Sequence, residues 1–392
     1  MILKDIFVSL CALTGQTEHA AHKLSVAFFL PALFKLRYAN MGGLDPEVFA
    51  GQMRELKSFE EGVWCGYWND IAERYEKEAN ALLARDGLSN EELEQGRDLL
   101  LKALTYYTVS AFPGTTPLRM EMYWKARELF ERVNSMEEAQ VEKVTLEIAG
   151  ETVEGYEYFP QGKKRVPVAV MTNGLEGTVQ EFCIPLRQYI DTGMGTFVME
   201  MPGSYAYKKP MSGASEEIYR AVLDYVAAHP RVDPDNIMFL GFSFGGYWAA
   251  RMAAVDKRIS RVVVSGAPLD KAFSARGSLG MPEIITSVIM KITGANSPPE
   301  ILPKLQELSF SKNDLYSKIE CPMLVINGDN DTLVGTEDSV ILASKVPSAV
   351  LKLYAGDDHC AMGHYDLWLD FTLNWLLEGI SRDKRRYKRP SP

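Results

Sequence analysis

The chain has 392 residues, of which 46% are hydrophobic and 24% are charged. This composition is typical of a folded globular protein and excludes extensive disorder, and the length predicts more than one domain. The formal net charge of −10 at pH 7 disfavours a nucleic acid or an anionic membrane as partner, because an acidic surface repels phosphate groups. A small molecule is the expected partner.

The first 140 residues predict an α-helical, cap-like domain. Between about 45 and 135, apolar residues recur three and four positions apart, which is the spacing of a helix with one buried face. Ser89-Asn-Glu-Glu92 has the pattern of a capping box at a helix start, and Thr116-Pro117 places proline at the first position of another helix. At least three packed helices are expected.

This helical region is rich in aromatic residues. Trp64 and Trp68 are the candidate substrate contacts among them, since an aromatic-lined pocket suits an apolar ligand. The alternative, packing in the core of the domain, is favoured, because aromatic stripes at helical spacing usually face a core.

From Val141 onward the pattern changes to that of a second domain, 141–380. Apolar and polar residues alternate over 144–148 and 152–159, which predicts a β-hairpin. Short apolar strands separated by helical segments then predict a mostly parallel, doubly wound sheet covered on both faces. These strands are predicted at 166–171, 195–200, 237–241, 261–265, 323–327 and 350–354. The segment at about 269–318, punctuated by Gly and Pro, predicts a lid-like insertion.

The terminal features and the cysteines predict a cytoplasmic protein without a membrane anchor. The apolar runs at 6–13 and 25–34 are too short to span a bilayer. The five cysteines form no C-x-x-C pair, so a reducing compartment is expected. The basic tail 381–392 is typical of a solvated terminus, with a targeting patch as the alternative. The oligomeric state stays open, with a homodimer as one option.

The most informative motif is Gly241-Phe-Ser243-Phe-Gly245-Gly246. A G-x-S-x-G match alone is a weak signal, but here an apolar strand precedes it and a helix of small residues follows it. A nucleophile elbow requires this arrangement, because the serine occupies a strained turn in which larger neighbours would clash. Ser243 is therefore the candidate nucleophile.

A serine nucleophile needs a histidine to accept its proton and a carboxylate to orient that histidine. In this fold the acid follows the serine along the chain, in a loop after a later strand. The strand at 323–326 leads into Asn327-Gly-Asp329-Asn-Asp331. Asp331 is the preferred acid, and Asp329 is expected to shape the turn.

The histidine should follow the acid. Of the five histidines only His359 and His364 do so. His359 directly follows the strand at 350–354 and is the preferred general base, whereas His364 begins the last helix and is its rival. Because histidines are few, no H-E-x-x-H occurs and no Gly-rich phosphate loop carries the needed lysine, we expect no metal and no cofactor.

An oxyanion formed on a substrate carbonyl needs preorganised N–H donors. The backbone N–H of Phe244, which follows the nucleophile, is one candidate. The second is the N–H of Leu175 in the loop Thr172-Asn-Gly-Leu-Glu-Gly177, and its neighbour Glu176 is the alternative and a tentative substrate contact.

These motifs resemble a known family. Asn173-Gly-Leu-Glu-Gly, Gly241-Phe-Ser-Phe-Gly-Gly-Tyr, Asn327-Gly-Asp-Asn-Asp and Asp358-His359 are similar to the prolyl-oligopeptidase-like branch of the α/β-hydrolases. With a helical domain before the core, the chain resembles the group that contains the fermentation-respiration switch protein, 2,6-dihydroxypseudooxynicotine hydrolase and fungal polyketide-shortening hydrolases. The likeness spans about 45–380.

The resemblance implies hydrolysis at a carbonyl of a small apolar aromatic or polyketide-like metabolite, either of a C–C bond beside a ketone or of an ester. A cyclisation or condensation in secondary-metabolite biosynthesis and a general carboxylesterase activity are the alternatives, because the same fold and triad serve several reactions. A non-enzymatic binding protein is disfavoured, because the serine, acid and histidine motifs are all present.

Overall fold

The computed structural model describes residues 2–137, 139–162, 164–186, 192–275, 277 and 279–378. The basic tail, predicted to be a solvated terminus, lies outside the described residues. The chain divides into two compact units. The helical unit comprises Met1–Gln140, Ser204–Ala206 and Leu279–Lys291, and the sheet unit comprises Val141–Gly203, Tyr207–Ser278 and Ile292–Pro392.

The helical unit is built from helices that begin close to the amino terminus of the chain. Both of the predicted helix starts are confirmed: the Ser89 hydroxyl accepts a hydrogen bond from the backbone N–H of Glu92 at 3.2 Å, and α8 begins at Pro117. The helices are α1 Ile2–Thr14, α2 Thr17–Leu24, α3 Val26–Phe29, α4 Leu33–Gly42, α5 Pro46–Glu55, α6 Glu61–Leu83, α7 Asn90–Ala111 and α8 Pro117–Ser135. None of the helices in the described ranges is long and apolar enough to cross a membrane.

Part of the predicted insertion belongs to the helical unit rather than to the sheet unit. The backbone N–H of Gly280 donates to the Ser9 hydroxyl at 2.8 Å, and the Lys291 ammonium donates to the carbonyl of Gly114 at 2.6 Å. Sequence order does not reveal this assignment, because these contacts join residues that lie more than 170 positions apart.

The sheet unit contains one eight-stranded, mostly parallel sheet, as the sequence pattern predicts. Its strand order is β1-β2-β4-β3-β5-β6-β7-β8; β1 and β2 form the predicted antiparallel hairpin, β2 is antiparallel to β4, and the strands from β3 to β8 are parallel. The strands are β1 Glu142–Ile148, β2 Glu151–Tyr158, β3 Val166–Thr172, β4 Gly195–Met199, β5 Val232–Phe242, β6 Ile259–Ser265, β7 Met323–Gly328 and β8 Ala349–Tyr354.

Helices alternate with these strands. All six residues of β7 are buried, which requires cover on both faces of the sheet and explains why the parallel strands are apolar throughout. Trp248 and Trp368 are fully buried on two of the covering helices. The helices are α9 Gln180–Leu186, α10 Glu216–Ala228, α11 Phe244–Val255, α12 Glu283–Thr293, α13 Pro298–Glu307, α14 Glu337–Lys345 and α15 Tyr365–Glu378, with α12 mostly in the helical unit.

Candidate active site

Ser243 lies in the sharp turn between β5 and α11. Its backbone has φ 54° and ψ −123°, a left-handed conformation that non-glycine residues rarely adopt and that persists only where the surrounding structure enforces it. A Cβ atom at Gly241 would lie 2.0 Å from the carbonyl oxygen of Gly245, and one at Gly245 would lie 2.2 Å from that of Thr172. The two glycines of the motif are therefore required by close backbone packing at the turn.

The loop after β3 lies directly against this turn. A Cβ atom at Gly174 would lie 2.7 Å from the Cβ of Ser243 and 3.1 Å from the backbone nitrogen of Phe244. Phe244 is the first residue of α11, so its N–H has no partner within the helix and lies at the positive end of the helix dipole. Leu175 follows Gly174 in this loop and is partly buried.

Glu176, the alternative residue of this loop, is fully buried and has a φ of 50°. The loop is held from within, because the Asn173 side-chain amide donates to the carbonyl of Thr178 at 2.7 Å. Leu175 and Glu176 thus belong to an ordered loop beside the candidate nucleophile.

His359 and Asp331 form a buried pair. The Nδ1 of His359 donates to the Oδ2 of Asp331 at 2.8 Å, and both side chains are almost completely shielded from solvent. The other carboxylate oxygen accepts the backbone N–H groups of Leu333 and Val334, each at 2.9 Å. These bonds fix the carboxylate, which in turn fixes the orientation and tautomer of the imidazole.

The pair has strongly perturbed ionisation. Burial by itself raises the pKa of Asp331, but the facing His359 and the donated hydrogen bonds outweigh burial and lower that pKa well below its ordinary value. Burial by itself lowers the pKa of His359, but the Asp331 carboxylate outweighs it and raises that pKa well above its ordinary value.

The remaining ring nitrogen of His359, Nε2, is buried and makes no hydrogen bond to the part of the chain that the structure describes. The backbone of Ser265 and Gly266 connects this ring to the elbow. The N–H of Ser243 donates to the carbonyl of Ser265 at 2.7 Å, and a Cβ atom on the next residue, Gly266, would lie 3.0 Å from the Cε1 of His359. His359 and Asp331 thus contact each other in the loops after β8 and β7, and Ser243 follows β5 in a turn that is hydrogen-bonded to the residue before Gly266.

The two rival residues have other partners. Asp329 is exposed, and its carboxylate accepts the N–H of Gly356 at 2.7 Å, which is a turn-shaping contact. His364 donates through Nδ1 to Asp357 at 2.7 Å, but 37% of its side chain is exposed, against 5% for His359.

Trp64 and Trp68 pack in the core of the helical unit. Both are fully buried and their rings lie 5.8 Å apart, the Nε1 of Trp64 donates to the carbonyl of Val109 at 3.1 Å, and Trp68 stacks on Tyr106. Neither exposes surface to a ligand in this structure. We therefore do not propose them as substrate contacts, and the core-packing alternative accounts for them.

The sequence pattern predicts no role for Asn327, although this residue contacts both the acid and the residue after the histidine. Its Nδ2 donates to Asp331 and its Oδ1 accepts the N–H of Cys360, both at 2.9 Å. The available signal was one polar residue at the end of the apolar strand β7. Within the described ranges, no group of three or more His, Cys, Asp or Glu side chains is arranged to hold a metal ion.

The sheet topology and the strand-elbow-helix geometry define an α/β-hydrolase, and the comparisons agree. The model of the family described as "Esterase FrsA-like" matches residues 56–381. The chain belongs to this family, and it is a hydrolase.

Its relatives include proteins named hydrolases and proteins named esterases. The "2,6-dihydropseudooxynicotine hydrolase" of Paenarthrobacter nicotinovorans is 26% identical over 306 residues, covering 76% of this chain and 80% of the relative. "Esterase FrsA" of Photobacterium profundum is 22% identical over 295 residues, covering 72% of this chain and 69% of the relative. The solved structure of the 2,6-dihydroxy-pseudo-oxynicotine hydrolase has a TM-score of 0.72 at 22% identity, covering 91% of this chain and 98% of the other, and shows the shared fold.

Proposed function

We propose that this protein is a serine hydrolase in which Ser243 is the nucleophile, His359 the general base and Asp331 the orienting acid. The observation that carries the proposal is the buried hydrogen bond of 2.8 Å between His359 and Asp331, which leaves Nε2 of His359 without a partner among the described residues. The His359 ring lies beside Gly266, and the preceding residue, Ser265, accepts a hydrogen bond from the backbone N–H of Ser243. A nucleophile held in a strained turn beside such a pair is the arrangement that acyl transfer requires.

The reaction proceeds in two halves. The Ser243 oxygen attacks the substrate carbonyl carbon while His359 Nε2 takes the hydroxyl proton, and the N–H groups of Phe244 and Leu175 bind the resulting oxyanion. Collapse of this intermediate breaks the bond to an alkoxide or a stabilised carbanion, which leaves with the proton held by His359, and an acyl group remains on Ser243. Water, activated by His359, then attacks the acyl carbon and releases the acid.

We propose a small, apolar, aromatic or polyketide-like carbonyl compound as the substrate, cleaved at a C–C bond beside a ketone or at an ester. Support comes from the relatives, one named for hydrolysis of a pseudooxynicotine derivative and others named esterases. A general carboxylesterase activity is the second candidate, because several relatives carry the name Esterase FrsA. The cytoplasmic location and a homodimeric state stay predictions.

The proposal is tested by labelling with a fluorophosphonate probe, which reacts with activated serines, followed by peptide mass mapping. The wild-type protein should carry one label on Ser243, and Ser243→Ala should lose both the label and the turnover of p-nitrophenyl acetate. Ser348→Ala is the matched control, since its hydroxyl donates to the Cys321 carbonyl at a turn outside the site. Full turnover by Ser243→Ala would refute the proposal.

The bond that is cleaved is identified by trapping the acyl-enzyme with aromatic ketone and ester substrates and measuring the mass of the fragment on Ser243. Product mass separates hydrolysis, which adds one water, from a cyclisation, which adds none. Retention of only small unactivated ester acyl groups, with no ketone-derived fragment, would favour the carboxylesterase candidate.

A further inference from the structure

Asn327 is a fully buried polar residue near the end of β7, where the four residues before it, Met323 to Ile326, are apolar and also fully buried. A buried side-chain amide destabilises the fold unless its two donors and its acceptor oxygen are satisfied. All of them are satisfied here. The Nδ2 atom donates to Asp331 Oδ2 at 2.9 Å and to Ser339 Oγ at 3.2 Å, and Oδ1 accepts the N–H groups of Gly328 and Cys360, each at 2.9 Å.

These four partners also determine the positions of the oxygen and the nitrogen of the Asn327 side-chain amide. The reversed amide would place its oxygen against the Asp331 carboxylate and its NH₂ group against two N–H donors, so the network permits one orientation only. Asn327 therefore donates to the same oxygen, Oδ2, that accepts the hydrogen bond of His359.

The Oδ1 atom of Asn327 holds Cys360, the residue that follows His359, through the backbone N–H of Cys360. Cys360 and Ala361 have φ values of 57° and 50°, so two successive non-glycine residues adopt a left-handed conformation. Such a conformation is unfavourable for residues with a side chain and persists only where neighbouring contacts hold it. Cys360 has two such contacts, its N–H to Asn327 and its thiol to the Ser265 carbonyl at 3.5 Å.

We propose that Asn327 is a positioning residue that holds the loop of the acid and the loop of the base in register. This inference rests on the proposed function, because it assigns Asn327 to the Asp331–His359 pair. One amide group joins Asp331 to the backbone that carries His359, so the imidazole is placed from both sides. Asn327 does not touch the substrate and acts through these two residues.

The test compares Asn327→Ala with Ser339→Ala, using p-nitrophenyl acetate as substrate and fluorophosphonate labelling to count active sites. Asn327→Ala should lower kcat per active site by roughly 10- to 100-fold with little change in KM, because misplacement of a catalytic group on the order of 1 Å has effects of this size. Ser339→Ala removes another partner of the same Nδ2 and keeps the bridge, so it should stay within about threefold of wild type.

A spectroscopic measurement separates positioning from a general loss of stability. The low-field proton resonance of His359 Nδ1–H should shift in Asn327→Ala, because the second donor to Asp331 Oδ2 is lost, and should be unchanged in Ser339→Ala. If Asn327→Ala does not fold, the isosteric Asn327→Asp replaces it. Two carboxylates at hydrogen-bond distance share a proton, so this variant should show an added ionisation in its pH–kcat profile.

Wild-type kcat and an unshifted resonance in Asn327→Ala, or a wild-type pH profile in Asn327→Asp, would overturn the inference. Asp331→Ala is measured in parallel. If that variant keeps full activity, the proposed triad fails and the inference fails with it; if Asp331 is required and Asn327 is not, the inference alone is refuted.

Discussion

Replacement of Asp331 by asparagine tests the electrostatic core of the proposed site. Asparagine has nearly the same shape, so the change removes the charge and presents an NH₂ group or a neutral oxygen to His359. The pair is buried and its atoms lie 2.8 Å apart. Opposite unit charges at this distance attract by about 6 kcal/mol at an effective dielectric constant of about 20, before the cost of burying them is deducted.

The expected fall in kcat is about 10⁴-fold, as for loss of the acid in other serine triads, where the histidine takes the wrong tautomer. This factor corresponds to about 5 kcal/mol of transition-state stabilisation, which lies within the gross attraction of the pair. The control is Asp329→Asn, which should keep nearly full activity, because Asp329 is exposed and its carboxylate accepts the N–H of Gly356 in a turn.

The pH dependence gives an independent readout. Burial lowers the pKa of His359, but Asp331 raises it well above its ordinary value, so the acidic limb of kcat/KM should lie above about pH 6.5 in the wild type. In Asp331→Asn the largest influence that raises the His359 pKa is lost, and the limb should move to lower pH.

The free energy of unfolding should depend on pH through the same two residues, His359 and Asp331. Because the His359 pKa is raised by folding, His359 stabilises the fold fully below about pH 6.5, and this stabilisation is lost as the pH rises through the folded pKa. Because the Asp331 pKa is lowered by folding, Asp331 stabilises the fold above about pH 4, and this stabilisation is lost as the pH falls through the folded pKa. The difference in free energy of unfolding between wild type and Asp331→Asn should therefore be largest between these pH values. Urea unfolding across pH measures it. A near-normal kcat with an unmoved acidic limb would refute the assignment of Asp331.

Two further substitutions test the neighbouring loop and the helical unit. Gly174→Ala should reduce kcat by about 100-fold or more, on the order expected for displacement of catalytic groups. The added Cβ would lie 2.7 Å from the Cβ of Ser243 and 2.9 Å from the carbonyl oxygen of Phe242. Steady-state kinetics with p-nitrophenyl acetate measures the effect, and an unchanged kcat would contradict the packing of that loop. Ser89→Ala removes the hydroxyl of the α7 capping box and should lower the free energy of unfolding by about 1 kcal/mol with unchanged kcat. Denaturant unfolding followed by circular dichroism measures this difference, and an unchanged midpoint would show that the cap does not contribute to stability.

The sheet could be predicted from the sequence because its signals are local. Parallel strands that are buried on both faces consist of short runs of apolar residues, and each of the six runs predicted from the sequence overlaps a strand of the sheet. The four helices before residue 45 are not predicted by the sequence pattern, although two apolar runs lie there. Their apolar runs are too short to span a bilayer and are interrupted by Asp5 and Pro31, and this excludes a membrane segment without indicating a helix.

For the site, the sequence determined the candidate residues and their order: the glycines around Ser243 and the strand ends before Asp331 and His359 are local patterns with a steric or topological cause. Only the tertiary structure decided which carboxylate faces which histidine, since His364 also has an aspartate partner, Asp357. It also decided that Asn327 joins the acid and base loops. Pairing of this kind depends on how segments distant in sequence pack together, and local patterns carry no information about that packing.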